Sequence, residues 1–128
     1  VCIPRPVYWR DGYEYWQQVP DGSITLGGFR DTDVEHEWTH DATPSAPIQE
    51  RLEHFLRAHI GTRALITHRW AASVSYSSTG APICEEVRTG VFAIGAYSGT
   101  GNIVGALCAR DAVRWAMGDC TIAQPQQR

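Results

Sequence analysis

Three stretches of the chain carry residue types that could do chemistry. His36-Glu37-Trp38-Thr39-His40 fits H-E-x-x-H, in which two His on one helix face hold zinc and the Glu acts as general base. Its flanks, Asp31-Thr32-Asp33 and Asp41-Ala42-Thr43-Pro44, supply no apolar helical face. Positions 43 and 46, where a third ligand could stand, are Thr and Ala. A polar surface loop with no metal is therefore the favoured reading, with a zinc hydrolase as an alternative. The second stretch, Gly95-Ala96-Tyr97-Ser98-Gly99-Thr100-Gly101-Asn102, joins an apolar run to a helical pattern. Free N–H groups at a helix start, approached over glycine, suit a negative or electron-rich ligand group. A tight turn that only packs helix on strand would use the same residues. Gly99, Gly101 and Gly105 are spaced one residue too widely for the dinucleotide fingerprint G-x-G-x-x-G. The third stretch, Thr67-His68-Arg69-Trp70, reads either as an aromatic and cationic pocket lining or as a strand with Trp70 in the core.

The elements that must position these groups follow from periodicity and turn chemistry. Residues 7–10 and 13–19 flank Asp11-Gly12, a two-residue hairpin signal. Pro20-Asp21-Gly22 turns the chain into a third strand over 23–28, so the first third reads as an antiparallel meander. Its Tyr13-Glu14-Tyr15-Trp16 could cage a substrate or line a half-buried sheet face. Residues 29–43 read as loop. Thr43 as N-cap and Pro44 at the first helical position open a helix, with Ile48, Leu52, Phe55, Leu56 and Ile60 on one face and Gly61 as its stop. His54 and His59 on that helix are expected in solvent. A long strand is expected within 64–77, then strands over 82–87 and 91–94, with turns at 78–80 and 89–90. A helix follows from Asn102 to about Met117. Its first half, Ile103 to Ala109, is apolar or small and predicts burial. Residues 124–128 read as a polar tail.

The composition narrows the chemistry further. The 128 residues suit one domain, and a formal charge of −3 argues against a nucleic-acid partner. All 11 cations are Arg, so there is no lysine for a Schiff base or a P-loop. No apolar run approaches the roughly 20 residues that span a bilayer, so no membrane partner is expected. Cys2, Cys84, Cys108 and Cys120 form no Cys-x-x-Cys pair and read as free thiols. The start lacks a signal-peptide pattern, and the expected location is cytoplasmic. It also lacks Met, which points to a piece cut from a longer sequence.

Three segments in order, Thr67-His68-Arg69-Trp70-Ala71, Thr79-Gly80-Ala81-Pro82-Ile83 and Val91 through Asn102, resemble the C-terminal part of FAD-dependent amine and amino-acid oxidoreductases. This is the D-amino-acid oxidase family, which includes glycine oxidase, sarcosine oxidase and γ-glutamylputrescine oxidase. Tyr15-Trp16-Gln17-Gln18 and residues 21–31 are similar to the γ-glutamylputrescine oxidase-like branch. The resemblance covers about Tyr13 to Trp115, and Tyr97-Ser98-Gly99-Thr100-Gly101-Asn102 is its most specific part.

The resemblance implies an α+β fold, an antiparallel sheet with two main helices, as a fragment of a two-domain fold. It implies that 1–128 is the substrate-binding and flavin-capping portion, without the N-terminal dinucleotide-binding portion. Gly95, Tyr97, Ser98, Gly99, Thr100, Gly101 and Asn102 would then line FAD. Trp16, Arg69, Trp70 and Tyr97 would face a small amine or amino-acid substrate, whose C–N bond gives up a hydride to become an imine. The chain departs from the family with Thr79 for Asp, Glu85 for Gly, Ala72 near a covalent-flavin Cys, and Val74 near an Arg that clamps a carboxylate. The last departure favours an amine unless Arg69 substitutes. The isolated chain is expected to be inactive, to need the missing portion to hold FAD, and to pair with that portion or with its own copy. The rival reading is a non-catalytic domain that binds a small ligand or a partner chain.

Overall fold

The structure, a computed structural model, describes residues 2–119. Cys120 and the tail at 124–128 lie outside the described residues. Among the described residues the fold is α+β, with two small antiparallel sheets and three α-helices. Their contacts divide them into two compact units that part between Ser73 and Val74.

In the first unit, β1 (Val7–Trp9), β2 (Glu14–Gln18) and β3 (Ile24–Gly28) form the expected meander. Trp9 pairs with Glu14 and Trp16 with Leu26, so Trp9, Glu14 and Trp16 share one face. α1 (Val34–Glu37) is a single turn inside the segment expected to be loop. α2 (Ala46–Ala58) lays Phe55 on the shared face. Phe55 is 3% exposed and is the hub of an aromatic cluster. Its ring centroid lies 5.3 Å from Trp9, 5.3 Å from Trp16 and 5.8 Å from Phe29, and it stacks on His59 at 4.8 Å.

The β1–β2 turn is wider than the two-residue expectation. Arg10, Asp11 and Gly12 all have positive φ, and the Tyr13 N–H bonds the Arg10 carbonyl at 3.0 Å. Arg10 leaves the strand because its guanidinium forks onto Glu14 and also reaches Asp31 at 3.0 Å. Glu14 is fully buried, so it needs that cation. Across the sheet, Gly28 sits at φ 141°, where an added Cβ would fall 2.3 Å from the Tyr13 carbonyl oxygen. No side chain fits there, and the Phe29 N–H closes on the same oxygen at 3.0 Å.

The start of α2 corrects the expected cap. Ser45, not Thr43, is the N-cap, and its carbonyl accepts the first helical bond from Gln49 at 3.0 Å. A start at Pro44 would put Pro47 at the fourth helical position, whose N–H must make the first bond. A start at Ala46 puts Pro47 in the first turn, where the missing N–H costs nothing.

The strand expected within 64–77 is absent; these residues join no ladder. Extended segments are stabilised by neighbours on a sheet, and the start of this one is held by a side chain instead. Arg57 of α2 donates to the Thr62 and Ala64 carbonyls at 3.1 and 2.8 Å.

In the second unit, β4 (Ile83–Arg88) and β5 (Val91–Gly95) form a hairpin turned at Gly90. α3 (Gly101–Ala116) packs on it, with Phe92 and Trp115 ring centroids 6.3 Å apart. The expected burial of the first half of α3 is only partly met. Val104, Gly105, Cys108, Ala112 and Trp115 form a covered stripe. Ile103 is 73% exposed, and Leu107, Val113 and Met117 are exposed with it. A two-stranded hairpin is too narrow to cover both stripes of an apolar helix.

Phe55→Ala is expected to destabilise the protein by about 3–5 kcal/mol, read as a lowered midpoint in chemical denaturation. A larger loss for Glu14→Ala than for Asp31→Asn is expected from the same measurement, because only Glu14 is fully buried.

Candidate functional site

The bend between β5 and α3 is built from residues held out of ordinary backbone conformation. Ala96, Ser98 and Gly99 have φ of 52°, 50° and 86°. Such values cost energy for non-glycine residues and persist only where the surroundings enforce them. Here the Ser98 N–H bonds the Ser75 carbonyl at 3.2 Å. The Tyr97 carbonyl accepts from both the Thr100 N–H at 2.9 Å and the Thr100 hydroxyl at 2.7 Å. The Tyr97 ring stands over the first turns of α3. A Cβ at Gly101 or Gly105 would lie 3.3 or 3.2 Å from it.

The bend therefore closes without using every donor. The Ile103 and Val104 N–H groups share the Thr100 carbonyl at 3.3 and 3.1 Å. Among the described residues, the N–H groups of Gly101 and Asn102 have no acceptor. They sit at the positive end of a 16-residue helix. Asn102 and Gly99 are exposed, and a Cβ at Gly99 would meet open space. This arrangement can hydrogen-bond a carbonyl or an oxyanion brought to the bend. Gly95, Gly99, Gly101 and Asn102 supply backbone and open approach, whereas the Tyr97 ring is engaged on Gly101 and Gly105.

The remaining candidates fall in the first unit. Trp16 lies in β2 against Phe55, not free on a surface. Tyr15 points away from the face that carries Glu14 and Trp16, so the four cannot form one cage. Arg69 is bound to α2, donating to Glu53 at 2.7 Å and Gln49 at 3.1 Å. Trp70 is 59% exposed, which excludes the core position that a strand would have given it. His54 and His59 are exposed as expected, with His59 stacked on Phe55. Two clefts of about 500 and 380 Å³ lie beside the aromatic cluster and share Trp9, Phe55 and His59.

The zinc pattern lacks its helix. α1 ends at Glu37, so His36 and His40 do not share a helical face, and His36 Nδ1 is 2.7 Å from Asp33. That contact holds the His36 pKa above its ordinary value. Among the described residues, no group of three His, Cys, Asp or Glu could hold a metal.

Two features were not anticipated. The Arg10–Glu14–Asp31 network was signalled by a charge at Glu14, on the same strand face as Trp16. The approach of Cys84 to Cys108, with a thiol-to-carbonyl distance of 3.6 Å, has no signature in their spacing.

The second unit thus defines a strand–bend–helix element with an open amide pair, in an α+β chain of small antiparallel sheets. The chain belongs to the FAD dependent oxidoreductase family (DAO), whose family model matches residues 2–115. It is similar to the "Probable oxidoreductase OrdL" of Rhizobium meliloti (strain 1021), with 39% identity over 56 residues. That stretch is 44% of this chain and 13% of the relative's length. No solved structure matches. Among the described residues, no helix is long and apolar enough to cross a membrane.

The Glu53 contacts carry a pH dependence of known sign. Hydrogen bonds from Arg69 and then Arg57 hold the Glu53 carboxyl below its ordinary value. A depressed carboxylate pKa adds stability above the unfolded value, and that stability is lost as pH falls through the folded one. Arg69→Ala is expected to raise the Glu53 pKa toward the ordinary carboxylate range, read by NMR titration.

Proposed function

We propose that this chain is the substrate-binding and flavin-capping part of a FAD-dependent oxidoreductase that converts a C–N bond of an amine to an imine. The observation that carries the reading is the pair of acceptor-free amides at Gly101 and Asn102, in a chain of this family. The residues of the bend fit the group: open backbone at Gly95 and Gly99, two free donors, and a positive helix end. The chemistry that FAD supplies when bound is acceptance of a hydride from the carbon of the C–N bond.

The chain's own residues have three tasks in this reading. The Gly101 and Asn102 N–H groups would donate to a flavin carbonyl oxygen and would stabilise negative charge there. Thr100 and Ser98 fix the bend through their bonds to the Tyr97 and Ser75 carbonyls, so the donors do not reorganise. The exposed stripe of Ile103, Leu107 and Met117 lies on the same helix and is the surface that a dinucleotide-binding portion would cover. An amine is favoured over an α-amino acid because Arg69 is already paired with Glu53.

The test is the visible spectrum of purified protein, prepared with and without the coding sequence upstream of this chain. Yellow protein only when the upstream part is present is the expected result. Colourless protein in both preparations would overturn the reading in favour of a binding module without flavin. Within the yellow protein, Asn102→Pro removes one donor at a first-turn position where proline is tolerated. It is expected to lower the flavin reduction rate by roughly tenfold or more, as loss of one charge-stabilising donor does.

A further inference from the structure

The second unit holds a pair of thiols that the flavin reading does not use. Cys84 lies in β4, half-buried, opposite Ile94 of β5. Cys108 is the one buried residue of α3. The Cys84 thiol is directed at α3 and lies 3.6 Å from the Cys108 carbonyl oxygen. We propose that Cys84 and Cys108 are a modification site, joined by hydrogen peroxide into a reversible disulfide that staples β4 to α3.

The chemistry balances with the peroxide as the only oxidant. The Cys84 sulfur, the more exposed of the two, attacks one peroxide oxygen as thiolate and breaks the O–O bond. The leaving hydroxide takes a proton and departs as water, and Cys84 becomes a sulfenic acid. The Cys108 sulfur then attacks the Cys84 sulfur, breaking the S–O bond and releasing a second water. Two thiols lose two electrons and two hydrogens, and one peroxide becomes two waters. Partial cover by α3 limits further attack on the sulfenic acid by solvent peroxide, while Cys108 stands ready to resolve it.

The surroundings set the rate. Burial, with the adjoining Cys108 thiol and Asp111, pushes the Cys84 thiol up to about 11. The groups that face it are Cys108 and Asp111 from α3, with apolar Ile94 across the ladder. Arg110 is engaged with the Asp111 carboxylate at 2.8 Å. Cys84 therefore rests as a thiol at neutral pH and reacts faster as pH rises.

The test uses the chain with Cys2→Ser and Cys120→Ser, so that only the pair remains. It is treated with hydrogen peroxide at several pH values, alkylated and cut with trypsin. Cleavage after Arg69, Arg88 and Arg110 places the two cysteines on separate peptides. The expected result is a joined peptide pair lighter by two hydrogens and separated by dithiothreitol. Its rate of formation should rise roughly tenfold per pH unit below the thiol pKa. In the same background, Cys108→Ser is expected to leave Cys84 as sulfinic acid with no joined pair. Peptides of the parent that stay separate, with either cysteine alkylated or Cys84 over-oxidised, would overturn the proposal.

Discussion

The first N–H groups of a helix have no acceptor within it and bond to water, a side chain or a ligand instead. At the start of α3 the nearby acceptors are already taken. The Thr100 carbonyl takes two donors, from Ile103 and Val104, and the Tyr97 carbonyl takes the Thr100 amide and hydroxyl. The Gly101 and Asn102 N–H groups are left over, and their site is open. Everything else in the second unit keeps them in place. The β4–β5 hairpin supports one stripe of α3, and the Tyr97 ring fills the space above Gly101 and Gly105. The left-handed residues Ala96 and Ser98 fold the chain so that the helix begins where it does. A donor pair fixed in this way suits charge that develops during a reaction, because no rearrangement is needed when the charge appears.

The first unit obeys a different constraint. Its aromatic residues converge on Phe55 and leave the outward face of the sheet to Tyr8 and Tyr15. Glu14 is the exception, a carboxylate on the apolar face, and it bends the β1–β2 turn around Arg10. The residue next to the strand is taken out of β-conformation to serve the buried charge. Residues 62–69 are tied to α2 by Arg57 and Arg69, which meet at Glu53.

Much of this was legible in the sequence. The meander, the β4–β5 hairpin, α3 and the apolar face of α2 followed from period and turn residues, because each is stabilised by local patterning. What was not legible depends on which groups meet in the fold, near or far in sequence. The segment at 64–77 has strand composition but no ladder neighbour. The start of α2 was decided by Pro47, not Pro44. The apolar content of α3 announced burial, and only the width of the hairpin showed that one stripe stays uncovered. For the site, the bend was visible through its glycines and its position before a helix. Which amides remained open was not, since that depends on the acceptors Thr100 and Tyr97 supply. The pairing of Arg69 with Glu53 lay equally beyond reach, at a separation of 16 residues.

In the proposed function the Gly101 and Asn102 amides donate to a bound flavin. Hydrogen–deuterium exchange of those two amides, compared between flavin-loaded and flavin-stripped protein, reads this contact. Strong slowing is expected at Gly101 and Asn102 on loading, with Ile103 and Val104 little changed because their acceptor is already Thr100. Equal exchange at Gly101 and Asn102 in the two forms would contradict it.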